Sequence, residues 1–180
     1  MRAIHFTYGQ KKMNYNKCIC VIPARGGSKR IKNKILKYGI EQSRYLYRLA
    51  KKENPDVTIL NRSLNNFNRK DNKFSLVSCI GVLQNCGCAP ALFLNKICKL
   101  IEKNGMLFLT SKNINWNQFK INSFEINSNH SWFDIGEVKK ILLKNNLKII
   151  KAGGFLPKKK KITKISESHT FYIWAKKNEL

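Results

Sequence analysis

The hydrophobic and polar positions of this chain divide it into short apolar runs and longer amphipathic stretches. The runs that suit β-strands occupy residues 18–23, 38–41, 57–60, 74–82 and 106–110. The stretches with apolar residues at helical spacing occupy residues 42–53, 90–101 and 135–145. Two more strand-like runs, at residues 147–152 and 170–175, close the chain.

This alternation of strands and helices with short links predicts an α/β fold with a Rossmann-like, mostly parallel sheet. The apolar run at residues 74–82 suits a central strand that is buried on both faces. Lys103-Asn104-Gly105 is expected to end the helix that starts at Pro90. No helix separates the last two strands, so we expect them to form a C-terminal antiparallel hairpin.

The length of 180 residues and a hydrophobic share of 43% suit one domain with its own core. We expect a loose segment at residues 1–17 and a single domain at residues 18–180. No apolar run approaches the ~20 residues that cross a bilayer. Residues 1–12 also lack the apolar core of a secretion signal. A cytoplasmic protein without a membrane span is therefore expected.

The net charge of +25 comes from 35 Lys and Arg against 10 Asp and Glu. Such a balance makes nucleic acid a possible partner, because cations that neutralise phosphates supply non-specific affinity. The basic residues are nevertheless scattered among many Asn, and the one dense run, residues 158–161, lies in an expected loop. This distribution favours a general compositional bias over a designed groove.

The cysteines and histidines do not form a recognisable site in the sequence. No two cysteines have C-x-x-C spacing, and no histidine follows at zinc-finger spacing, so buried free thiols are expected and no metal site is proposed. The histidines are isolated from one another along the chain, and no catalytic triad is proposed. The six cysteines are Cys18, Cys20, Cys79, Cys86, Cys88 and Cys98, and the three histidines are His5, His130 and His169.

Several segments in a fixed order carry a resemblance to a known family. They are residues 39–43, 57–64, 74–86, 103–113, 132–155 and 171–176. In order and spacing they resemble the second to fifth strands, the last helix and the terminal hairpin of the class I S-adenosylmethionine-dependent methyltransferases. The resemblance covers about residues 38–177, and it implies S-adenosylmethionine as the cofactor.

The resemblance also implies roles for individual residues. Glu41, at the end of the second strand, would bind both ribose hydroxyls of the cofactor. A surface carboxylate favoured by a helix dipole is the alternative for this residue. Ser63 and Leu64 would flank the adenine, while Cys79 and Ile80 would line the methionine end.

The methyl acceptor would meet a different set of residues. Gln84, which follows the fourth strand, could point at the substrate, and His130 and Trp132 could touch it from the long connection. Ile80 and Leu83 are more readily explained as core packing.

The segment after the first strand departs from the methyltransferase pattern, which has G-x-G-x-G at this place. Residues 19–34, with Ala-Arg-Gly-Gly-Ser-Lys-Arg at their centre, resemble instead the nucleotide-binding signature of the acylneuraminate cytidylyltransferases. In that family Arg25, Ser28 and Lys29 would hold the triphosphate of CTP, with Mg²⁺. Alternatively, Gly26 and Gly27 form an unusual first loop of a methyltransferase.

We favour a composite over this alternative and over a merely flexible basic turn at residues 24–30. In it, the cytidylyltransferase-like motif within residues 18–37 is joined to a methyltransferase that has lost its own first strand. The expected function is that of a methyltransferase-like protein acting on a small molecule or a glycan precursor, and the absent G-x-G-x-G loop leaves its activity open. The alternatives are a nucleotidyltransferase fragment that binds CTP and a basic nucleic-acid-binding protein on a degenerate enzyme fold.

Overall fold

The computed structural model describes residues 18–21, 38–67, 73–86, 88–117, 131–156 and 161–179. Within these ranges the chain forms three α-helices, namely α1 (Arg44–Glu53), α2 (Pro90–Lys99) and α3 (Ile135–Lys144). The same ranges contribute eight strands, which are β1 (Cys18–Val21), β2 (Tyr38–Glu41), β3 (Thr58–Asn61), β4 (Phe74–Ile80), β5 (Ile101–Lys112), β6 (Leu147–Leu156), β7 (Lys161–Thr163) and β8 (Thr170–Lys177).

All described strands join one sheet in the order β3-β2-β1-β4-β5-β8-β6-β7. The first five strands are parallel to one another, whereas β8 is antiparallel to both β5 and β6. The predicted Rossmann-like sheet and the antiparallel pairing of the two terminal strands are confirmed. No helix in the described part of the chain is long and apolar enough to cross a membrane.

The strand β1 occupies the middle of the parallel half, between β2 and β4. The apolar run at residues 18–23 thus supplies the first strand of the sheet, as predicted, and the unusual sequence follows this strand. Residues 1–17 and most of the cytidylyltransferase-like motif lie outside the described residues.

The core lies where β4 and β5 meet α2. Phe74 and Val77 of β4 are fully buried, as are Leu94 and Ile97 of α2. The helix starts at Pro90, which occupies the first turn, where the missing N–H of proline costs nothing. The spacing of the apolar residues thus turns one face of α2 towards the sheet, as predicted.

The prediction that Lys103-Asn104-Gly105 ends α2 is wrong, because the helix ends at Lys99 and these residues belong to β5. Asn104 has a φ of 60°, and the pairing register between β4 and β5 shifts just before Met106. A Cβ on Gly105 would lie 2.8 Å from Ile101 Cγ2. This glycine therefore permits a close chain approach inside a strand and does not act as a helix stop.

One strand was not predicted from the sequence. The short strand β7 lies between β6 and β8 in the sequence, and it pairs antiparallel with the last residues of β6 at the edge of the sheet. Three residues with a single apolar position, Ile162, are too short a run for alternation to be recognised.

Candidate functional site

The carboxyl ends of the five parallel strands meet at one edge of the sheet. The chain moves outward from β1 to β2 and β3 and then returns to β4 on the other side of β1, so the direction of strand order reverses at β1. Ligands of open α/β sheets bind at such a reversal, outside the carboxyl ends of the strands. This edge is therefore the candidate site.

Several predicted site residues lie outside the described residues. They are Arg25, Gly26, Gly27, Ser28 and Lys29 after β1, and His130 in the connection before α3. Their roles remain the predictions stated above.

Glu41 ends β2 at this edge, and its side chain is only 2% exposed. The Ser43 backbone N–H donates to Oε1 over 2.7 Å, whereas Oε2 is buried without a hydrogen-bond partner among the described residues. Burial raises the pKa of Glu41, although the backbone N–H groups of Ser43 and Gln42 act in the opposite direction. An acceptor oxygen that is shielded from water and lacks a donor is the kind of group that a bound hydroxyl would satisfy.

Asn61, at the end of the neighbouring strand β3, holds the turn that carries Glu41. Its Nδ2 donates to the carbonyl oxygens of Glu41 and Gln42, at 3.0 and 3.2 Å. Sequence reasoning missed this residue, because the contact depends on the parallel pairing of two strands that are 20 residues apart.

Ser63 and Leu64 follow β3 at the same edge, but both have structural contacts. Ser63 Oγ accepts a hydrogen bond from the Asn66 backbone N–H and caps a short 3₁₀-helix. Leu64 is buried in the core cluster. The Ser63 side chain is half-buried at this edge, and its role beside the adenine stays a prediction.

The residues at the carboxyl end of β4 form a second side of the candidate site. Cys79 has a fully buried side chain and Ile80 a half-buried one. Gly81 then turns the chain with a φ of 66°, and its N–H bonds both the carbonyl and the Oγ1 of Thr110, at 3.1 and 3.0 Å. Leu83 is fully buried, as expected for core packing.

Gln84 and Trp132 are brought together at this edge by a backbone contact. The Ser131 N–H donates to the Gln84 carbonyl over 2.9 Å, and the Phe133 N–H donates to the Lys112 carbonyl over 3.1 Å. The segment that carries Trp132 is therefore fastened to the exits of both β4 and β5. The structure thus brings together two residues that were predicted to contact the methyl acceptor.

Trp132 belongs to an aromatic cluster that the sequence did not reveal. The indole of Trp116 is parallel to that of Trp132, with an angle of 4° and 6.5 Å between ring centroids. Lys112 Nζ lies 5.2 Å from the Trp132 ring centroid, and the His169 ring meets Trp116 edge-on at 5.7 Å. These residues are separated by up to 57 positions in the sequence (169 minus 112). The pairing of β5 with β8 and the bonds of Ser131 and Phe133 bring them together.

Four of the six cysteines, Cys79, Cys86, Cys88 and Cys98, are free thiols. Cys79 and Cys98 are buried, which agrees with the prediction, and burial raises the pKa of Cys98 to about 12. Cys86 and Cys88 are only partly buried. In the described ranges no three His, Cys, Asp or Glu side chains gather as a metal ion would require.

No family model matches the chain, and no curated protein matches its sequence. Solved structures do match. A methyltransferase of Mesorhizobium loti that depends on S-adenosylmethionine aligns with a TM-score of 0.69 at 10% identity, over 89% of this chain and 90% of that one. The chain has the fold of the S-adenosylmethionine-dependent methyltransferases.

Two further methyltransferase-fold structures show the same similarity. A possible histamine N-methyltransferase of Thermotoga maritima aligns with a TM-score of 0.65 at 16% identity, over 90% of this chain and 82% of that one. The magnesium protoporphyrin IX methyltransferase of Synechocystis, solved with bound S-adenosylmethionine, aligns with a TM-score of 0.62 at 13% identity, over 90% and 70% of the two chains. The part of the expected resemblance that concerns the methyltransferase fold is thereby confirmed.

Proposed function

We propose that this protein is an S-adenosylmethionine-dependent methyltransferase that acts on a small molecule. The observation that carries the proposal is the buried Glu41 carboxylate, whose Oε2 has no partner among the described residues at the end of β2. In a sheet of this topology that position faces the ligand edge. The carboxylate would accept hydrogen bonds from the two ribose hydroxyls of the cofactor.

The described residues fit the ribose part of the cofactor. Glu41 offers one free acceptor oxygen, and Asn61 fixes the turn on which it stands. The half-buried Ser63 and the backbone after β3 would lie beside the adenine. When bound, S-adenosylmethionine supplies a methyl group activated by its sulfonium.

The contribution of the protein to such a transfer would be mainly geometric. Aligning an acceptor with an activated group accounts for a large part of the rate enhancement in reactions of this type. The segment from Gly81 to Gln84 is fixed to β5 through Thr110 and to the segment of Trp132 through Ser131. These bonds give the acceptor side of the site a rigid frame.

A small acceptor is supported by the names of the similar structures. One is described as a possible histamine N-methyltransferase and another as a magnesium protoporphyrin IX methyltransferase. A glycan precursor as acceptor is suggested only by the cytidylyltransferase-like sequence of residues 19–34.

The proposal is tested by calorimetric titration of the chain with S-adenosylmethionine and, in parallel, with CTP and Mg²⁺. We expect a one-site isotherm with the former that is lost in Glu41→Ala and kept in Glu53→Ala, which removes an exposed carboxylate at the far end of α1. Binding of CTP with Mg²⁺ and no binding of S-adenosylmethionine would contradict the proposal in favour of the nucleotidyltransferase alternative.

A further inference from the structure

Two thiols lie close together where the chain leaves β4 and enters α2. Cys86 follows the short 3₁₀-helix after β4, and Cys88 stands directly before Ala89, the N-cap of α2. The Cys86 Sγ donates a hydrogen bond to the Cys88 carbonyl oxygen over 3.2 Å, so this sulfur is directed towards the backbone of Cys88. Both residues are free cysteines with partly buried side chains. The pair thus combines two neighbouring sulfur atoms with partial access to solvent.

The electrostatics of Cys86 also show that the two sulfur atoms are near neighbours. Burial raises the pKa of Cys86, and the charge of the Cys88 thiolate and a hydrogen bond between the two side chains raise it further, whereas the Cys88 backbone acts in the opposite direction. Each thiolate therefore disfavours the other. A covalent bond between the sulfur atoms would remove that repulsion.

The simplest alternative is that both cysteines only fill space against the core, as small apolar side chains. Cys98 of α2 has that role, since it is buried and burial raises its pKa to about 12. Such a thiol is protonated and shielded, and it is inert. Cys86 and Cys88 differ from it, because both are partly exposed and each has a second thiol beside it.

A zinc ion is a second alternative for a pair of thiols. Structural zinc sites use four protein ligands, whereas the described ranges contain no group of three His, Cys, Asp or Glu side chains that could share a metal ion. Disulfide formation needs only the two thiols that are present. The pair therefore favours redox chemistry over zinc binding.

The segment that ends at Cys86 belongs to the acceptor side of the candidate site. Asn85 Nδ2 donates to the Gly81 carbonyl over 3.0 Å, which holds the segment in a tight turn. The Gln84 carbonyl accepts the bond from the Ser131 N–H. On the other side of the pair, α2 begins and packs on the sheet. A bond between the two thiols would therefore join the acceptor side of the site to the start of α2.

We propose that Cys86 and Cys88 are a modification site, at which a low-molecular-weight disulfide such as oxidised glutathione converts the two thiols into an intramolecular disulfide bond. The inference goes beyond the proposed methyltransferase function and does not depend on it, because it concerns the thiols alone. The bond is reversible and places a covalent constraint beside the acceptor side of the site.

The bond forms by two successive thiol–disulfide exchanges. The Cys88 thiolate attacks one sulfur of oxidised glutathione, whose S–S bond breaks, and one glutathione leaves. The Cys86 thiol then gives its proton to solvent and attacks the Cys88 sulfur of the mixed disulfide, which releases the second glutathione. The protein loses two electrons and two protons, and the oxidant takes up the same number as it becomes two reduced glutathiones. The second step belongs to Cys86, because a target sulfur at close range compensates for its raised pKa.

The test maps the thiols of the folded wild-type chain after incubation with oxidised glutathione. The remaining thiols are alkylated with N-ethylmaleimide in urea, and the chain is digested with trypsin. One tryptic peptide, residues 74–96, contains Cys79, Cys86 and Cys88, whereas the other cysteines fall in different peptides. We expect this peptide to lose two hydrogen atoms and to carry a single alkyl group, on Cys79. Fragment ions from cleavage between Cys79 and Cys86 should assign the lost hydrogens to the pair, and excess reduced glutathione should restore both thiols.

A variant and an internal control separate the two steps from general oxidation. Cys86→Ser removes the thiol of the second step, so Cys88 should retain one glutathione as a mixed disulfide. Cys98 should stay fully reduced, because burial raises its pKa to about 12. In the oxidised wild type, amide hydrogen exchange in residues 81–86 should slow, since a covalent link removes conformations in which the segment opens, and residues 41–44 should keep their rates.

Four outcomes would overturn the inference. They are two thiols that remain fully alkylatable after incubation with oxidised glutathione, a disulfide from either thiol to another cysteine, a bond that forms only when the chain is unfolded in urea, and a wild-type pair that retains two glutathiones. Failure of the proposed function is seen separately, since none of these measurements involves S-adenosylmethionine.

Discussion

Replacement of Glu41 by glutamine separates the role of its charge from that of its shape. The substitution keeps the side-chain volume and an acceptor oxygen for the Ser43 N–H, which now donates over 2.7 Å. It removes the negative charge from a side chain that is 2% exposed and whose second oxygen has no donor among the described residues. The ligand-free variant should therefore be at least as stable as the wild type, whereas its affinity for the ligand should fall.

The magnitudes follow from the hydrogen bonds involved. A hydrogen bond to a charged group is worth about 1.5–3 kcal/mol, so the variant should bind S-adenosylhomocysteine roughly 10- to 150-fold more weakly. The neutral amide removes the cost of burying a charge, although its Nε2 stays without a partner in the place of Oε2. The free energy of unfolding of the ligand-free variant should thus be no lower than the wild-type value.

The pH dependence gives a second signature. Burial raises the pKa of Glu41 above its ordinary value of 4.5. The folded protein then holds this proton more tightly than the unfolded chain, so the ligand-free protein loses stability as pH rises from 4.5 through the raised pKa. Ligand binding to the carboxylate has the opposite trend and strengthens over the same interval. Both dependences should disappear in Glu41→Gln.

The assay combines calorimetric titration with S-adenosylhomocysteine and urea unfolding of the ligand-free protein, each at several pH values. For the wild type, ligand at about 100 times its Kd adds about 2.7 kcal/mol, which raises Tm by roughly 5–10 °C. Glu53→Gln, an exposed change of the same kind, is the matched control. Wild-type affinity in Glu41→Gln, or a loss of more than about 1 kcal/mol of ligand-free stability at neutral pH, would refute the reasoning.

Three further predictions concern the frame of the site. Gly105→Ala should lower the free energy of unfolding, measured in urea, by about 1–3 kcal/mol. The reason is that the new Cβ would lie 2.8 Å from Ile101 Cγ2 and 3.0 Å from the Phe74 carbonyl oxygen. An unchanged urea midpoint would show that the strand accommodates the added methyl group without a loss of stability. Asn113→Ala should lower the free energy of unfolding by about 2–3 kcal/mol, because Nδ2 of the buried Asn113 donates to two carbonyl oxygens, at 2.6 and 2.7 Å. Amide hydrogen exchange in this variant should rise first in residues 165–170, which contain those carbonyls. Asp134→Ala should cost about 1 kcal/mol near neutral pH through loss of the cap on α3. The hydrogen bond from the Asn115 side chain is the main cause that lowers the pKa of Asp134. The stability difference between wild type and Asp134→Ala should therefore persist above the ordinary pKa of 3.8 and vanish as pH falls through the lowered pKa. A stability difference that does not depend on pH would contradict the assignment.

The sequence predicted the parts of the fold that depend on local periodicity. The apolar run of β4 and the amphipathic spacing of α2 each specify an element, because burial requires one face to be apolar. The absence of a helix before β8 also specified its antiparallel pairing. The position of Glu41 could be predicted for the same reason, since it is the last residue of a strand.

Local periodicity gave the wrong boundary where a tertiary contact prevailed. Lys103-Asn104-Gly105 has the composition of a helix end, yet the chain is already extended at Ile101, which pairs with Phe74 of β4. A left-handed Asn104 and a glycine that fits against its neighbours are also compatible with a strand irregularity. Local composition alone does not distinguish a helix end from an irregularity within a strand.

The acceptor side of the site was decided by the tertiary structure alone. Trp132 could be suspected from the sequence, but Trp116, Lys112 and His169 could not be joined to it. Their proximity results from the register in which β5 pairs with β8 and from the bonds that fasten Trp132 to the strand exits. The sequence by itself determined the helices and the longer strands, and which carboxylate ends a strand, because those depend on neighbours along the chain. Which aromatic side chains share a surface depends on strand register, and only the folded sheet decides it.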